Sequence, residues 1–313
     1  MLHVRIIAPA GMTAEVCDAL TADEAVTNLV VLTGAARKPV GDVVLCDVVR
    51  EGVDGVLDRL REMGVLHRGA IAIQPTEAAL SDAVGAAERA TPGYGADAVI
   101  WDEVYQRTAE DASMSWSYLA FLAIATQIAA IGIVLDSPIL IVGAMVLGPE
   151  FGPVSGICVG LLCRDMGRIL RSLRTLAIGF VVAIAITFAC AAVSHAIGWI
   201  APRVLVDRPM TGFIVHPDRW SLVVAVLAGA AGVLSLTSSR STTLVGVFIS
   251  VTTVPAAGNI ALALALGNWS ELGGSAAQLG LNVLGMIVAG TVTLIIQRTV
   301  WKRVTAWRAA HRH

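Results

Sequence analysis

Glu150 is the one carboxylate well inside an apolar stretch of this chain, within Gly148-Pro149-Glu150-Phe151-Gly152-Pro153. An ionisable group at such depth costs at least about 2.5 kcal/mol and by default marks an ion, proton or substrate path. Proline removes a backbone donor and glycine adopts non-helical dihedrals, so a helix carrying this hexapeptide should not continue straight. The backbone groups freed by the break cannot face lipid and must face protein or a water-filled cavity. There, carbonyls and helix ends can coordinate an ion. A second interruption, Pro255 to Gly258, lies close to the hydroxyls of Ser250, Thr252 and Thr253 and the amide of Asn259. The candidate substrate- or ion-binding set is therefore Glu150, Gly148, Pro149, Gly152 and Pro153 from the first break. Ser250, Thr252, Thr253, Pro255 and Asn259 come from the second.

Gln127 and Asn282 are further polar residues within the apolar stretches. A structural reading competes with the chemical one. Gly152, Gly156 and Gly160 continue a G-x-x-x-G pattern that suits close helix packing, and Glu150 could then sit solvated at an interface.

The elements that would position these residues follow from composition. Of 313 residues, 56% are hydrophobic and 15% charged, and the mean hydropathy is +0.75. Against a globular average of about 25% charged, this excludes a disordered chain, a coiled coil and a wholly soluble enzyme. Residues 1 to 113 carry nine Lys/Arg against eighteen Asp/Glu, whereas residues 114 to 313 carry thirteen against six. An acidic head argues against a nucleic-acid partner, because phosphates are held chiefly by Lys and Arg.

In the head, residues 2–8 alternate as a strand and residues 13–20 read as a helix. Strands at 28–33 and 43–49 flank the turn ARKPVGD, a helix covers 53–63, and a last strand covers 70–74. The order β-α-β-β-α-β is the ferredoxin-like arrangement. His3 and His67 have no evident carboxylate or Cys partner, and the formal G-x-G-x-x-A of Gly93, Gly95 and Ala98 follows Thr-Pro rather than a strand. An acidic helix over 97–112 would join head to membrane.

A hydrocarbon core of about 30 Å needs roughly 20 apolar residues per helix. Six stretches qualify, at about 116–135, 138–162, 174–197, 220–237, 243–266 and 277–297. With the head inside, ten Lys/Arg fall in inner segments, including Arg164, Arg168, Arg171 and Arg174; the outer loops hold Arg203, Arg208 and Arg219. Positive charge is retained on the cytoplasmic side, so both termini are expected there; the basic tail from 298 reads first as a topology signal, with contact to anionic lipid or to a protein partner as the other readings. The domains are then 1–75 ferredoxin-like, 76–113 linker and acidic helix, 114–297 transmembrane and 298–313 tail. Spans one and two resemble spans four and five, with Gly132 matching Gly232 and Val142-Gly143 matching Val245-Gly246. Each unit has three spans, so the second is inverted, and paired Gly/Pro breaks in inverted repeats point to the binding site of a secondary transporter.

The five cysteines are scattered without C-x-x-C spacing, and no cofactor or metal site is expected. No H-E-x-x-H, G-x-S-x-G or paired intramembrane Asp is present, and the adjacent Ser194-His195 cannot face each other on a helix. The chain is therefore expected not to be an enzyme, and no catalytic residue is assigned.

GAMVLGPEFGP in span two and LVGVFISVTTVPAAGNIALAL in span five, entered through SWSYLAFLAIATQIAAIGIVLDSP, resemble the bacterial membrane-protein family catalogued as domain of unknown function 389. The likeness covers about residues 115 to 297, and the head looks like the variable N-terminal portion of many members. It implies a polytopic membrane domain similar in hydropathy to a transporter. Where many members read G-A-M-x-x-S-P, this chain has Gly148 before Pro149 and Glu150. The resemblance implies that the serine's role is absent here, or is taken by backbone or by Glu150.

The expected fold is thus an α-helical polytopic membrane protein of six transmembrane helices in a 3+3 inverted repeat, with an N-terminal α+β ferredoxin-like domain. The leading function is a secondary transporter or ion-conducting protein of the bacterial cytoplasmic membrane. Its partners are the lipid bilayer and a small ion or small-molecule substrate, and the chain is free to form a homo-oligomer. The alternative is a membrane-anchored ligand sensor or scaffold without transport.

Overall fold

Alternation along β1 (Leu2–Ala8) buries Leu2, Val4, Ile6 and Ala8 on one face, and period-2 burial repeats in β3 (Val40–Val48). With β2 (Val26–Arg37) and β4 (Ala70–Pro75) these form one antiparallel sheet ordered β2-β3-β1-β4. This is the order that a split βαβ repeat requires. Leu2 pairs with Val48 on one side and Pro75 on the other. Val16 and Leu20 of α1 (Thr13–Thr21) and Val53, Val56, Leu57 and Leu60 of α2 (Val53–Glu62) close the core over the sheet. A short α3 (Val65–Arg68) precedes β4, and α4 (Asp82–Ala90) follows it.

This computed structural model describes residues 1–76, 81–91, 99–205, 208–215, 219–237 and 253–310, without the side chains of Phe213 and of residues 301–310. The formal G-x-G-x-x-A, Ser250, Thr252 and the first half of span five lie outside these. The chain divides into two compact units, one holding Met1–Val104 and the other beginning at Tyr105, so the boundary falls inside α5 (Trp101–Asp111).

Two expectations for the head are corrected. The turn is confined to Lys38-Pro39, because β2 and β3 pair as far as Arg37 and Val40. His3 does have a carboxylate partner: it faces Asp47 across the β1–β3 pair, with Nδ1 to Oδ1 2.9 Å. The sheet, not local spacing, brings these residues together.

One acid in the head carries a pH dependence. Burial first, then the neighbouring Asp102 and Asp58 charges, push the Asp54 carboxyl up to about 6. A raised carboxyl stabilises the fold in its protonated form. That contribution is complete below about pH 4 and is lost as pH rises through about 6. Asp54→Asn is therefore expected to stabilise the head at pH 7–8 by about 1–3 kcal/mol and to flatten its stability between pH 4 and 7. Amide exchange of α2 in the full-length protein measures this; an unchanged pH profile in the variant would contradict it.

In the second unit, α6 (Trp116–Val134), α9 (Met166–Ala196), α10 (Arg219–Thr237) and α12 (Trp269–Ala310) are long and apolar enough to cross a membrane. The pair α7 (Pro138–Leu147) and α8 (Phe151–Cys163), bent by 54°, makes a fifth span if the two are counted as one. With four or five such helices the chain is a membrane protein. α11 (Thr253–Leu266) has 14 residues, about 21 Å of helix, too short to span alone. Every residue from Thr253 to Ala263 is buried, so the first three turns of α11 are enclosed on all sides. Small residues make that enclosure feasible: a Cβ on Gly258 would stand 3.0 Å from the Ala130 amide nitrogen and 3.1 Å from the Thr126 carbonyl oxygen of α6.

Two sequence boundaries shift. α9 begins at Met166 and α12 at Trp269, several residues before the expected starts at 174 and 277, because polar first turns are absorbed into the helices. The interruption expected at Pro255 to Gly258 is absent. α11 runs unbroken through both, since a proline in the first turn removes an amide that has no intrahelical partner there.

Candidate functional site

The first break lies where α7 ends at Gly148 and α8 begins after Glu150. Pro149 and Glu150 form the corner: the Pro149 carbonyl accepts from the Gly152 amide at 3.2 Å, and the Glu150 carbonyl from Val154 at 3.3 Å. Pro153 is buried in the first turn of α8, where proline is tolerated, so the bend belongs to residues 148–150. Glu150 is the N-cap residue, yet its side chain does not cap its own helix. The carboxylate turns instead to α11, where Thr253 Oγ1 donates to Glu150 Oε1 at 2.6 Å.

Thr253 is the first residue of α11, so the starts of α8 and α11 meet at this carboxylate. Both helices turn the positive ends of their dipoles toward it. Glu150 and Thr253 are 0% and 1% exposed. Gly148 completes the enclosure through its lack of a side chain: a Cβ there would stand 2.3 Å from Glu150 Oε2 and 2.8 Å from Val254 Cγ2. Its φ of −69° and ψ of 119° suit any residue. Glycine is needed here for space, not for backbone conformation.

The structure thus joins Glu150, Gly148, Pro149 and Thr253 in one place and sends other candidates elsewhere. A Cβ on Gly152 would stand 2.4 Å from the Asp111 carbonyl oxygen, one on Gly156 2.5 Å from Ser172 Oγ, and one on Gly160 2.7 Å from Ile169 Cγ1. The glycine stripe is therefore a packing surface. Pro255 is buried within α11. Gln127 is half-buried on α6 and Asn282 buried on α12.

Asn259 belongs to a second polar cluster that the sequence did not suggest. Its Oδ1 accepts from Arg208 Nη1 at 2.8 Å, and its Nδ2 donates to Ser275 Oγ at 2.8 Å and Glu271 Oε2 at 3.2 Å. Arg208 Nη2 forms an ion pair with Glu271, and Nε donates to the Leu205 carbonyl at 3.1 Å. The Arg208 side chain is 4% exposed. The segment after it is fastened to the α6–α7 turn, where Asp136 Oδ1 accepts from the Thr211 amide at 2.9 Å and the Thr211 hydroxyl at 2.8 Å. Leu205 and Ile214 complete the seal by packing with Ile133, Ile141 and Leu262. The described part of the loop between α9 and α10 is thus built into the helical core.

Tyr118, also missed, is buried on α6 within electrostatic reach of Glu150. Its hydroxyl makes no hydrogen bond among the described residues. A cue was available for Glu271 in the scarcity of carboxylates after residue 113; Tyr118 gave none, since tyrosines near span ends usually serve as interfacial anchors. Ser194-His195 has a local explanation: His195 Nδ1 meets the Ile200 carbonyl at 2.8 Å, closing the turn after α9. Among the described residues, no three His, Cys, Asp or Glu side chains converge as a metal site would require.

Residues 145–288, from the end of α7 into the first half of α12, match the family model described as Domain of unknown function (DUF389). An uncharacterized protein of Methanocaldococcus jannaschii is 27% identical over 157 residues, covering 50% of this chain and 47% of the relative. The chain thus spans about half the length of that curated relative. No solved structure matches.

Proposed function

We propose that this chain, whose residues 145–288 carry domain of unknown function 389, is a secondary transporter or ion-conducting protein of the cytoplasmic membrane. One observation carries the reading: a fully buried carboxylate bonded to Thr253 where two helices begin. Discontinuous helices meeting inside the membrane are where transporters place their substrate and coupling-ion sites. Glu150 is the ion site in this reading. The two positive helix ends stabilise the ionised carboxylate, so in this reading Glu150 is the negative group that a proton or a cation neutralises.

In this proposal α11 is the second half of a broken fifth span, and the six spans form two inverted units that rock against each other. Both termini are cytoplasmic, the head regulates or assembles the protein, and no bond of the substrate is made or broken.

The test is charge movement in proteoliposomes of the intact protein under imposed proton, sodium and potassium gradients, then with pooled metabolites. Gradient-driven current above that of empty vesicles is the expected result. Silence from folded protein would overturn the proposal and favour a membrane-anchored sensor, whose ligand would be sought on the head of the full chain.

A further inference from the structure

A concavity of about 380 Å³ opens beside the first turns of α9, lined by Arg168, Arg171 and Arg174 together with the hydroxyl-bearing Ser113, Ser172 and Thr175. Arginines at this spacing share one helix face. Arg168 also stands in the first turn of α9, where the helix dipole opposes a cation. Asp165, the N-cap, offsets part of that charge by accepting from the Arg168 amide at 3.0 Å.

A topology signal alone needs only exposed charge, and Arg168 is not exposed. Its side chain is 7% accessible and lies over the Tyr105 ring at 3.5 Å. Its Nη1 donates to the Tyr105 carbonyl at 2.8 Å and to Thr108 Oγ1 at 3.2 Å. Tyr105 in turn donates its hydroxyl to Asp165 Oδ2 at 2.9 Å. The guanidinium is thus held in place before any ligand arrives, while its buried Nε lies 3.8 Å from Asp165 Oδ2, beyond hydrogen-bond reach. Arg171 and Arg174 remain exposed at the mouth. Glu110 and Asp111, nearby in sequence, do not line the concavity.

We propose that this concavity is a binding site for a phosphate-bearing anion, held by Arg168, Arg171 and Arg174 with the three hydroxyls as neutral donors. Guanidinium forks match phosphate oxygens in pairs, and serine and threonine hydroxyls satisfy what remains. The site lies where α9 passes from charged residues to its apolar run beginning Leu176-Ala177-Ile178. The phosphate can therefore come from an anionic lipid headgroup or from solution.

The experiment follows unfolding of the full-length protein in neutral detergent micelles. Separate arms add phosphatidylglycerol, phosphatidylcholine, or inorganic phosphate against chloride at equal ionic strength. Stabilisation by phosphatidylglycerol and not phosphatidylcholine assigns the lipid source; stabilisation by inorganic phosphate assigns the soluble one. In Arg171→Gln/Arg174→Gln, which leaves the Tyr105 contacts intact, the apparent affinity should fall about tenfold or more. Arg164→Gln, a charge control at the end of α8 that does not line the site, should keep it. No stabilisation by either anion, or equal stabilisation in the double variant, would overturn the proposal.

Discussion

Glu150→Gln is expected to bring gradient-driven charge movement down to the level of empty vesicles while leaving the protein folded. The two side chains have the same shape, and an amide oxygen can still accept from the Thr253 hydroxyl that now lies 2.6 Å from Oε1. What disappears is the charge and the capacity to take up and release a proton. Glu150→Ala is the less informative variant, because it would open a void and strand the Thr253 hydroxyl, confounding flux with stability. Thr253→Val provides the graded comparison: it keeps the carboxylate and removes one donor, so flux should fall by about tenfold rather than vanish. Normal flux in a folded Gln variant would remove Glu150 from the mechanism.

The largest expected effect on stability lies elsewhere. Arg208→Met should destabilise the protein by about 3–5 kcal/mol, because it leaves Glu271 enclosed without its counter-charge and Asn259 without a donor. The same reasoning predicts that Arg208→Met combined with Glu271→Gln recovers most of the loss. The penalty comes from the orphaned charge rather than from the value of the pair. Denaturant unfolding in micelles, run as a double-mutant cycle, separates the two. A single variant costing under about 1 kcal/mol would mean that water reaches Glu271 and that the loop is not the seal its contacts describe.

The contrast between these two sites shows what the sequence made legible. Glu150 could be found because a carboxylate among apolar residues, next to Gly and Pro, is rare and physically expensive. Its partner Thr253 is one of several hydroxyls near Pro255, and nothing local distinguishes it; only the meeting of two helix starts does. By sequence Arg208 is an outer-loop charge, and loop arginines are normally solvated. Its burial depends on Asn259 and Glu271, 51 and 63 residues away. His3 and Asp47 illustrate the same limit in the head, where strand register supplies the neighbour. Periodicity located the head's strands and most of the apolar helices, because it reports each element's own burial. Long-range polar pairs leave no periodic trace.

The space at Gly148 also constrains how this site can have arisen. With any side chain at position 148, a Cβ would collide with the Glu150 carboxylate as it is held here, so the two positions do not mutate independently. A lineage moving from a serine at position 148 to a glutamate at position 150 would pass most easily through glycine first. Introducing the glutamate first would force it into a different rotamer, away from Thr253. Homologous chains should accordingly show a negative association between serine at the first position and glutamate at the second, a signature readable from sequences alone.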